Sequence, residues 1–516
     1  MGKMRRRDFL KLGVASGASL FAVRARAAVP TQATTPKRGG TLTIGQNKTL
    51  TDFNPLSPSA GRNLYSRAIY NTLTHHDAQL NPQPELAERW EVAPDGRSIS
   101  LKLREGVKFH SGREFTSEDV KFTWEFGTTD PSVMNRMIFK TVASVETPSK
   151  YVVTLKFPTP NPAVFDILDL LPIIDKETYK DWAKVGIGTG PFKIDKYVPN
   201  DRVEMVAFKD YWEPGKPYLD KYVSLQIPDS PALAISLESG AVDGVHDLSY
   251  VDAARLRGAN PKLVVEIAKP AWAVMDLAIN CKVEPFTNKK VRQAMACAID
   301  RERFAKTVMQ GLVRPTTLMW LPHTWAYFPD LEGKNGYNLD RAKALLKEAG
   351  LEKGFETELI TSSKRGTPYG ALAEMLGADL KKIGVNAKIV DMDPAMYDNR
   401  LTTRREYQMA SHAYGRVTHD PGTMVNAAIA WYSEKEGGWT RFDSEEYDRL
   451  RKEMQSTLDR ERRKVTARKI QELALEECFT IPVCEWAMAW GYGSHVKGFA
   501  YDLVMQLSPS NIWLDK

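Results

Sequence analysis

Strand-like segments alternate with helix-like segments along most of this 516-residue chain. Residues 41–44 alternate between polar and apolar side chains, as in a half-buried strand, whereas residues 289–298 and 372–383 have the spacing of amphipathic helices. Asn288 is suited to cap the first of these helices, and Gly384 is suited to end the second. Because strands and helices in alternation pack as layers around mixed sheets, the sequence predicts an α/β fold.

A cluster of glycines at Gly186, Gly188 and Gly190 interrupts this pattern. The cluster is not typical of a phosphate-binding loop, because it lacks the third glycine spacing and because Pro191 would block the helix that follows such a loop. We interpret the cluster as a backbone hinge in which glycine is needed for positive φ.

The N-terminal residues are organised like an export signal. They contain the basic stretch Arg5–Arg7, an apolar run over residues 12–23 and the cleavage pattern Ala25-Arg26-Ala27. A helix of this length would span about 18 Å, against roughly 30 Å of hydrocarbon in a bilayer, so the run is too short for a stable membrane anchor. Residues 6–11 resemble the twin-arginine export signal R-R-x-F-L-K. The sequence therefore predicts a twin-arginine signal peptide over residues 1–27 and a soluble mature protein in the bacterial periplasm.

The formal charge of +7 comes almost entirely from this N-terminal segment. Residues 1–27 hold seven basic side chains and one acidic side chain, so the rest of the chain holds 64 basic and 63 acidic ones. A protein body this close to neutrality has no bulk attraction for phosphate backbones or anionic lipids. We therefore expect no nucleic-acid partner.

The sequence contains none of the common enzyme and cofactor motifs. It has no glycine loop for nucleotides or dinucleotides, no serine nucleophile elbow, no zinc-protease helix motif and no C-x-x-C pair. His75 and His76 are neighbours on a predicted strand and would point to opposite faces, whereas His412 and His419 bracket a loop and could converge. We therefore expect a protein without catalytic residues, cofactor or metal site.

The four cysteines, Cys281, Cys297, Cys478 and Cys484, lack the spacing of a zinc site. An even number of cysteines in an oxidising compartment is compatible with disulfides. Cys297, however, lies among apolar residues of a predicted helix, where a small core side chain is the simpler interpretation. Both alternatives stay open at this point.

Several short segments occur in the order in which one protein family carries them. The most specific is residues 103–112, with the sequence L-R-E-G-V-K-F-H-S-G. On these segments, which extend over about residues 40–500, the chain resembles the family 5 extracellular solute-binding proteins of ABC importers. Dipeptide-, oligopeptide- and nickel-binding proteins belong to that family. The other segments are residues 70–73, 84–90, 95–96, 115–120, 188–192, 285–286, 291–294, 298–301, 337–346, 420–421 and 481–482, together with Asn280.

This resemblance implies a domain organisation. Members of the family are type II periplasmic binding proteins of the cluster C kind, which are α/β clamshells with two lobes and a subdomain inserted in the first lobe. On this basis we place lobe I at residues 28–60, 186–272 and 490–516, the inserted subdomain at residues 61–185 and lobe II at residues 273–489.

The resemblance also implies a function. Members capture a solute in the cleft between the lobes, close around it, and deliver it to permease subunits in the inner membrane without chemical change. We therefore expect a monomeric, non-enzymatic binding protein for a peptide or peptide-like organic solute. Nickel or a metallophore is the alternative ligand class. A protein that passes its ligand to a chemoreceptor would have the same sequence features.

The loop that contacts the ligand in peptide-binding members differs here. In those relatives, an Asp four residues before the proline of an Asp-Pro pair binds the peptide α-amine, whereas Val417 stands at this position. The neighbouring Arg416 offers a planar donor fork suited to a carboxylate or phosphate, although it could equally pair with Asp420. We therefore expect an anionic group on the ligand near Arg416.

Aromatic residues in or beside loops that should face the cleft form a second group of candidates. Aromatic rings bind flat or apolar parts of organic ligands. As a set they favour a mid-sized organic ligand over a bare ion, with core packing as the alternative role for each ring. The candidate ligand-binding residues are Phe53, Trp320, Tyr397, Tyr414, Arg416, Asp420, Trp439 and Trp486.

Overall fold

The computed structural model describes residues 35–516, apart from residues 49, 51, 57–63, 78–79, 131–132, 134–138, 182–184, 366–367, 415–419, 428–430 and 503–504. The predicted signal peptide, residues 1–27, therefore lies outside the described residues. Residues Lys37–Lys516 form one compact unit. Within the described part of the chain, no helix is both long enough and apolar enough to cross a membrane.

The described residues form strands and helices in mixed order, as the α/β prediction requires. The strands are β1 (Thr41–Gln46), β2 (Thr74–His76), β3 (Pro82–Pro84), β4 (Ala87–Val92), β5 (Ser98–Leu103), β6 (Ser144–Ser149), β7 (Val152–Lys156), β8 (Phe192–Val198), β9 (Arg202–Ala207), β10 (Lys221–Gln226), β11 (Gly244–His246), β12 (Leu263–Ile267), β13 (Ala273–Ile279), β14 (Phe355–Thr361), β15 (Val385–Asp391), β16 (Met409–Tyr414), β17 (Thr480–Trp486), β18 (Ala489–Gly493), β19 (Val496–Lys497) and β20 (Trp513–Leu514).

The helices include the two that the sequence predicts at residues 289–298 and 372–383. The α-helices are α1 (Ser66–Ile69), α2 (Ser117–Thr129), α3 (Val164–Leu170), α4 (Ser230–Glu238), α5 (Tyr250–Leu256), α6 (Lys289–Ala298), α7 (Arg301–Thr307), α8 (Leu339–Glu348), α9 (Tyr369–Lys381), α10 (Pro394–Asp398), α11 (Pro421–Ala427), α12 (Glu445–Ser456) and α13 (Arg460–Glu477). Short 3₁₀ turns lie at Tyr179–Asp181, Pro329–Leu331, Ser363–Arg365, Glu434–Glu436 and Pro509–Asn511, and a π turn lies at Asn399–Thr403.

Seven of these strands form one mixed sheet in the order β12-β18-β11-β1-β10-β9-β8. The central strand β1 runs parallel to both of its neighbours, β10 and β11. Its apolar residues Leu42 and Ile44 are fully buried, which confirms the strand predicted at residues 41–44. Strands β11 and β12 both pair antiparallel with β18, so their carboxyl ends lie at the same edge as that of β1.

Five other strands form a second mixed sheet in the order β15-β14-β16-β13-β17. Every residue of β13 is buried, because helices cover both faces of the sheet. Met275 and Leu277 pack into one core with residues of α6 and α9. Val274 and Ala278 point to the opposite face and pack into another core with residues of α12 and α13.

A third sheet, in the order β4-β5-β7-β6, packs with α2 and α3 around a separate core. Helix α2 begins at a capping box, in which the backbone N–H of Thr116 donates a 3.0 Å hydrogen bond to the Asp119 carboxylate. The three sheets take their strands from the ranges expected for lobe I, lobe II and the inserted subdomain to within one residue, and the domain boundaries themselves stay a prediction.

The chain passes between the two larger sheets at residues 268–272 and 487–488. The two passages lie side by side, since the Ala268 N–H donates to the Met488 carbonyl at 2.7 Å and the Trp272 N–H donates to the Trp486 carbonyl at 3.3 Å. Each passage leaves the carboxyl end of a strand, β12 or β17. Paired peptide segments of this kind can bend together, so they are suited to act as a hinge.

Glycine is required at residues 186–190 for a different physical reason from the one predicted. None of its three glycines has a positive φ, so that expectation is wrong. A Cβ atom on Gly188 would lie 2.0 Å from the Ile69 carbonyl oxygen, and one on Gly190 would lie 2.4 Å from the Ala68 carbonyl oxygen. Glycine is therefore required because this segment passes directly against the backbone of α1.

All four cysteines are buried and free of disulfides. Cys297 lies in α6 and is fully buried, which confirms its interpretation as a core residue. Burial raises the pKa of the Cys281 and Cys478 thiols to about 12, so these groups stay protonated and unreactive at neutral pH.

Candidate functional site

Strands from both larger sheets end at the two passages. A cavity of about 40 Å³ lies there, and its lining includes Asn47 after β1, Asp247 after β11 and Trp486 at the end of β17. Ligands of open α/β sheets bind outside the carboxyl ends of the strands. This edge is therefore the candidate ligand site of the molecule.

Three aromatic rings lie together at this edge. The ring centroid of Trp486 is 4.9 Å from that of Trp272 and 5.7 Å from that of Tyr369, at the start of α9. The indole nitrogen of Trp272 is buried and has no hydrogen-bond partner. Trp486 was expected here from the sequence, whereas Trp272 and Tyr369 were missed. Trp272 directly precedes β13, and it reaches this edge because β13 pairs with β17. The sequence does not show this pairing, so it could not indicate Trp272 as a site residue.

Tyr414 ends β16 at the same edge. Its ring meets the ring of Trp431 edge-on at 4.9 Å, and its side chain is 3% exposed. Burial raises the pKa of the Tyr414 hydroxyl well above its usual range, so the group is a neutral donor. That hydroxyl has no hydrogen-bond partner in the structure.

Trp439 packs over the middle of the same sheet face. Its ring lies 4.4 Å from that of His412, which is paired across β13 and β16 with Asp276. His412 Nδ1 is 3.3 Å from Asp276 Oδ1, and the hydroxyl of Thr480 donates to the other carboxylate oxygen at 2.5 Å. Among the described residues, the buried Trp439 Nε1 has no hydrogen-bond partner, and His412 Nδ1 and Asp276 Oδ1 approach each other without forming a hydrogen bond.

These unpartnered atoms have an energetic consequence. Leaving a buried donor or acceptor without a partner costs about 1–3 kcal/mol. Within the described residues, Tyr414 and Trp439 both present a donor without a partner beside their rings, and Asp276 presents a carboxylate oxygen that makes no hydrogen bond. A solute with apolar and polar groups could pack on the rings and satisfy these atoms at the same time.

Arg365 supplies a cation at the carboxyl end of β14. It pairs with Asp398, and its guanidinium carbon lies 5.3 Å from the ring centroid of Tyr397. Its Nε atom is buried and has no partner. Tyr397 is fully buried, and its hydroxyl donates a 2.7 Å hydrogen bond to the Ser411 carbonyl. This bond fixes the position of the ring that packs against Arg365. Arg365 was not among the site residues predicted from the sequence.

Two of the candidate aromatic residues are packed inside the protein. Phe53 is fully buried, with its ring centroid 5.5 Å from that of Tyr65 and 5.0 Å from that of Tyr197. Trp320 is 2% exposed, and its indole N–H donates to the Pro421 carbonyl at 3.2 Å. These contacts are those of core residues, and a ligand contact for either residue stays a prediction.

Asp420 is held by Arg463 through two hydrogen bonds, one of them 2.7 Å long. It also accepts from the Gly422 N–H at 2.8 Å, so it orders the start of α11. Arg416 and Val417 lie outside the described residues. The pairing with Arg463 nevertheless gives Asp420 a cation partner other than Arg416.

A second, larger cavity of about 370 Å³ has Arg67 and His75 in its lining. Arg67 is buried and joins three carboxylates, at 2.6 Å from Asp169, 2.9 Å from Asp502 and 3.4 Å from Glu85. Burial raises the pKa of Asp502 and of Glu85, and Arg67 opposes this rise in both. The network connects α1 and α3 with the C-terminal segment.

The two adjacent histidines of β2 point away from each other, as predicted. His75 is exposed, whereas the Nδ1 of half-buried His76 lies 2.9 Å from Asp169 Oδ2. His419 lies outside the described residues. Among the residues that the structure describes, no three His, Cys, Asp or Glu side chains are grouped so that they could hold a metal ion.

Two large sheets that are joined by paired passages and border a common edge define the class of type II periplasmic binding proteins. One solved structure of that class is the periplasmic binding protein DppA from Helicobacter pylori in complex with the peptide STSA. It superposes with a TM-score of 0.82 at 24% sequence identity, over 93% of this chain and 99% of that chain. The predicted fold class is thereby confirmed.

The family follows from the sequence comparison. Residues 81–435 match the family model of bacterial extracellular solute-binding proteins, family 5 Middle, and the chain belongs to this family, as the sequence predicts. The dipeptide-binding protein of Escherichia coli K12 is 26% identical, over 97% of both chains. The heme-binding protein A of Haemophilus influenzae is also 26% identical, over 85% of both chains.

Proposed function

We propose that this protein is the periplasmic substrate-binding component of an ABC importer. In this role it captures a peptide or peptide-like organic solute at the edge between its two larger sheets and delivers it to the permease in the inner membrane. Family membership supports the role, and the relatives that bind a dipeptide and the peptide STSA support the ligand class. The observation that carries the proposal is the group of aromatic rings with buried, unpartnered polar atoms at this edge.

The side chains at this edge suit a ligand with mixed character. Rings such as Trp486 and Tyr414 offer flat surfaces for apolar side chains. Arg365 offers a donor to a carboxylate, while the indole of Trp439 and the hydroxyl of Tyr414 offer donors to carbonyl oxygens. Closure at the two passages would exclude water and strengthen these bonds. Binding and release are then the whole function, and no bond is made or broken.

The test is mass spectrometry of the small molecules that denaturation releases from the protein as isolated. We expect peptides or peptide-like compounds in about equimolar amount. Elemental analysis of the same sample distinguishes a peptide ligand from the alternative, because a nickel complex or a metallophore would release metal together with its carrier. Recovery of heme alone, or of a product formed from an added peptide, would contradict the proposal.

We also propose that residues 1–27 export the protein to the periplasm through the twin-arginine pathway. The pair Arg6-Arg7, the apolar run and the cleavage pattern support this assignment. Changing both Arg6 and Arg7 to Lys should leave the precursor in the cytoplasm, because the pathway requires the arginine pair. Normal arrival in the periplasm of a strain that lacks the twin-arginine translocase would contradict the assignment.

A further inference from the structure

A small cavity lies beside the second sheet's core, between α6, α7, α13 and the start of β17. Its volume is about 20 Å³, which is room for a single water molecule or one ion of similar size. The polar or charged residues in its lining include Arg301, Thr317, Lys334, Asn335, Trp431, Gln471 and Thr480. No carboxylate is among the described residues that line it.

Arg301 brings a buried positive charge to this cavity without a carboxylate partner. Its guanidinium donates to backbone carbonyls, including those of Pro482 at 2.7 Å and Ala296 at 3.1 Å. In the described part of the chain, the hydrogen bonds of this guanidinium all go to backbone carbonyls and none goes to a carboxylate. The Glu332 carboxylate affects Arg301 through its charge but forms no hydrogen bond with it. Glu332 instead accepts a 2.7 Å hydrogen bond from the Thr317 N–H. Burial lowers the pKa of Arg301 to about 10, so the group is still a cation at neutral pH.

Two neutral donors line the same cavity without an acceptor. Trp431 is fully buried, and its Nε1–H has no hydrogen-bond partner. Gln471 is 1% exposed, and its Oε1 accepts from the Met319 N–H at 3.1 Å. This contact directs the amide NH₂ group of Gln471 away from Met319, and the described residues offer that group no acceptor.

The lining therefore favours an occupant that supplies acceptors and negative charge. A water molecule could accept from two of these donors and donate in turn to the hydroxyl oxygen of Thr317 or Thr480. It would, however, leave the buried guanidinium without a counter-charge, which is costly in a protein interior. A monatomic anion accepts from all of these donors and neutralises the charge. We propose that this cavity is a binding site for one small halide ion, of which chloride is the common example.

The site is separate from the ligand site but shares one residue with its wall. The indole N–H of Trp431 lines the ion cavity, while its ring contacts Tyr414 at 4.9 Å. An ion bound to this N–H holds the ring against which Tyr414 packs. Chloride should therefore stabilise the folded protein, because any ligand that binds only the folded state does so.

Bromide replaces chloride in such sites and can be located by its anomalous scattering. Crystals grown with sodium bromide in place of sodium chloride should show an anomalous peak in this cavity, within hydrogen-bonding distance of Trp431 Nε1. A map without a peak there would overturn the proposal.

Thermal unfolding gives a test that does not need crystals. At constant ionic strength, replacing sodium gluconate by sodium chloride should raise the melting temperature of the wild type along a saturating curve. Gln471→Glu keeps the acceptor for Met319 but replaces the NH₂ donor by a negative charge, so chloride affinity should fall about tenfold or more. Trp431→Phe keeps the ring and should weaken chloride binding by a smaller factor. Gln455→Glu, which adds the same charge on the exposed face of α12, is the control and should respond like the wild type. An equal response to chloride in all four proteins would overturn the proposal.

Discussion

The candidate aromatic residues differ in whether their polar atoms have a hydrogen-bond partner within the described residues. Trp439 and Trp320 are both buried tryptophans, with 8% and 2% of the side chain exposed. The indole N–H of Trp320 is bonded to the Pro421 carbonyl, whereas that of Trp439 has no partner. A donor that is already satisfied serves the fold, and one that is unsatisfied is available to a ligand.

This difference predicts opposite effects for two matched substitutions. Trp439→Phe should leave the free energy of unfolding nearly unchanged but weaken ligand binding by about 0.5–1.5 kcal/mol, since only the ligand bond is lost. Trp320→Phe should reduce the free energy of unfolding by about 1 kcal/mol and leave ligand affinity unchanged. Urea denaturation and calorimetry with the ligand recovered from the protein measure the two quantities. Wild-type affinity in Trp439→Phe would show that this indole does not contact the ligand.

Buried histidines make the stability depend on pH. Burial lowers the pKa of His246 to about 4, with nearby Asp247 opposing and Lys48 adding to this effect. The unfolded chain has a histidine pKa of about 6.5 and therefore binds more protons than the folded state below that pH. The stability contributed by neutral His246 is complete above pH 6.5 and is lost as the pH falls toward 4. Half-buried His110, whose pKa is also lowered to about 4 by desolvation, acts in the same direction.

We therefore expect the free energy of unfolding to fall between about pH 6.5 and pH 4, by about 3 kcal/mol for each of these two histidines. His246→Gln should reduce the slope of this pH dependence. Exposed His75 provides the control, and His75→Gln should leave the slope unchanged. Denaturant unfolding over a pH series gives the slopes, and an unchanged slope in His246→Gln would show that this imidazole is not held neutral.

The elements of the fold are tied together by ion pairs that differ in burial. The network around Arg67 joins α1, α3 and the C-terminal segment in the interior. The pair between Arg468 of α13 and Asp330 has a comparable distance, 2.5 Å, but both of its side chains are substantially exposed. Removing one partner of a buried network leaves uncompensated charge, whereas water replaces an exposed partner.

Arg67→Ala should accordingly destabilise the protein by about 3–5 kcal/mol, because three buried carboxylates lose their shared cation. Arg468→Ala should leave the free energy of unfolding nearly unchanged. Urea denaturation of both variants beside the wild type provides the comparison. A loss in Arg67→Ala as small as that in Arg468→Ala would contradict the structural role of the network.

Elements with local signals could be predicted from the sequence, and those defined by distant contacts could not. The start of α2 follows from Thr116 and Asp119, which interact within one turn. The close approach of Gly188 to α1 involves residues more than a hundred positions apart. Sequence patterns carry no information about such an approach.

The same limit applies to the candidate site. Trp486 and Tyr414 were predicted because they lie in or beside loops expected to face the cleft, and the structure places both at the carboxyl ends of strands at this edge. Trp272 and Arg365 could not be predicted, because their place at the edge depends on how β13 and β14 pair within the sheet. Phe53 and Trp320 were expected at the cleft because they lie beside loops; the structure packs both rings in the interior, and a ligand contact for either stays a prediction.

At the scale of the whole molecule, two sheets and two adjacent passages define how a solute could be held. The passages at residues 268–272 and 487–488 are short and paired, so motion there changes the distance between the sheets with little cost elsewhere. The rings at the edge belong mostly to the five-stranded sheet, whereas Asn47 and Asp247 belong to the seven-stranded one. A ligand at this edge would therefore contact both sheets and favour the closed arrangement.

The structure of the protein bound to the ligand that it releases on denaturation tests this directly. We predict that the ligand lies between the two larger sheets, with contacts to Trp486, Tyr414 or Trp439 and with a hydrogen bond to at least one of the atoms that now lack a partner. A ligand found instead in the cavity of about 370 Å³ beside Arg67 would contradict this placement.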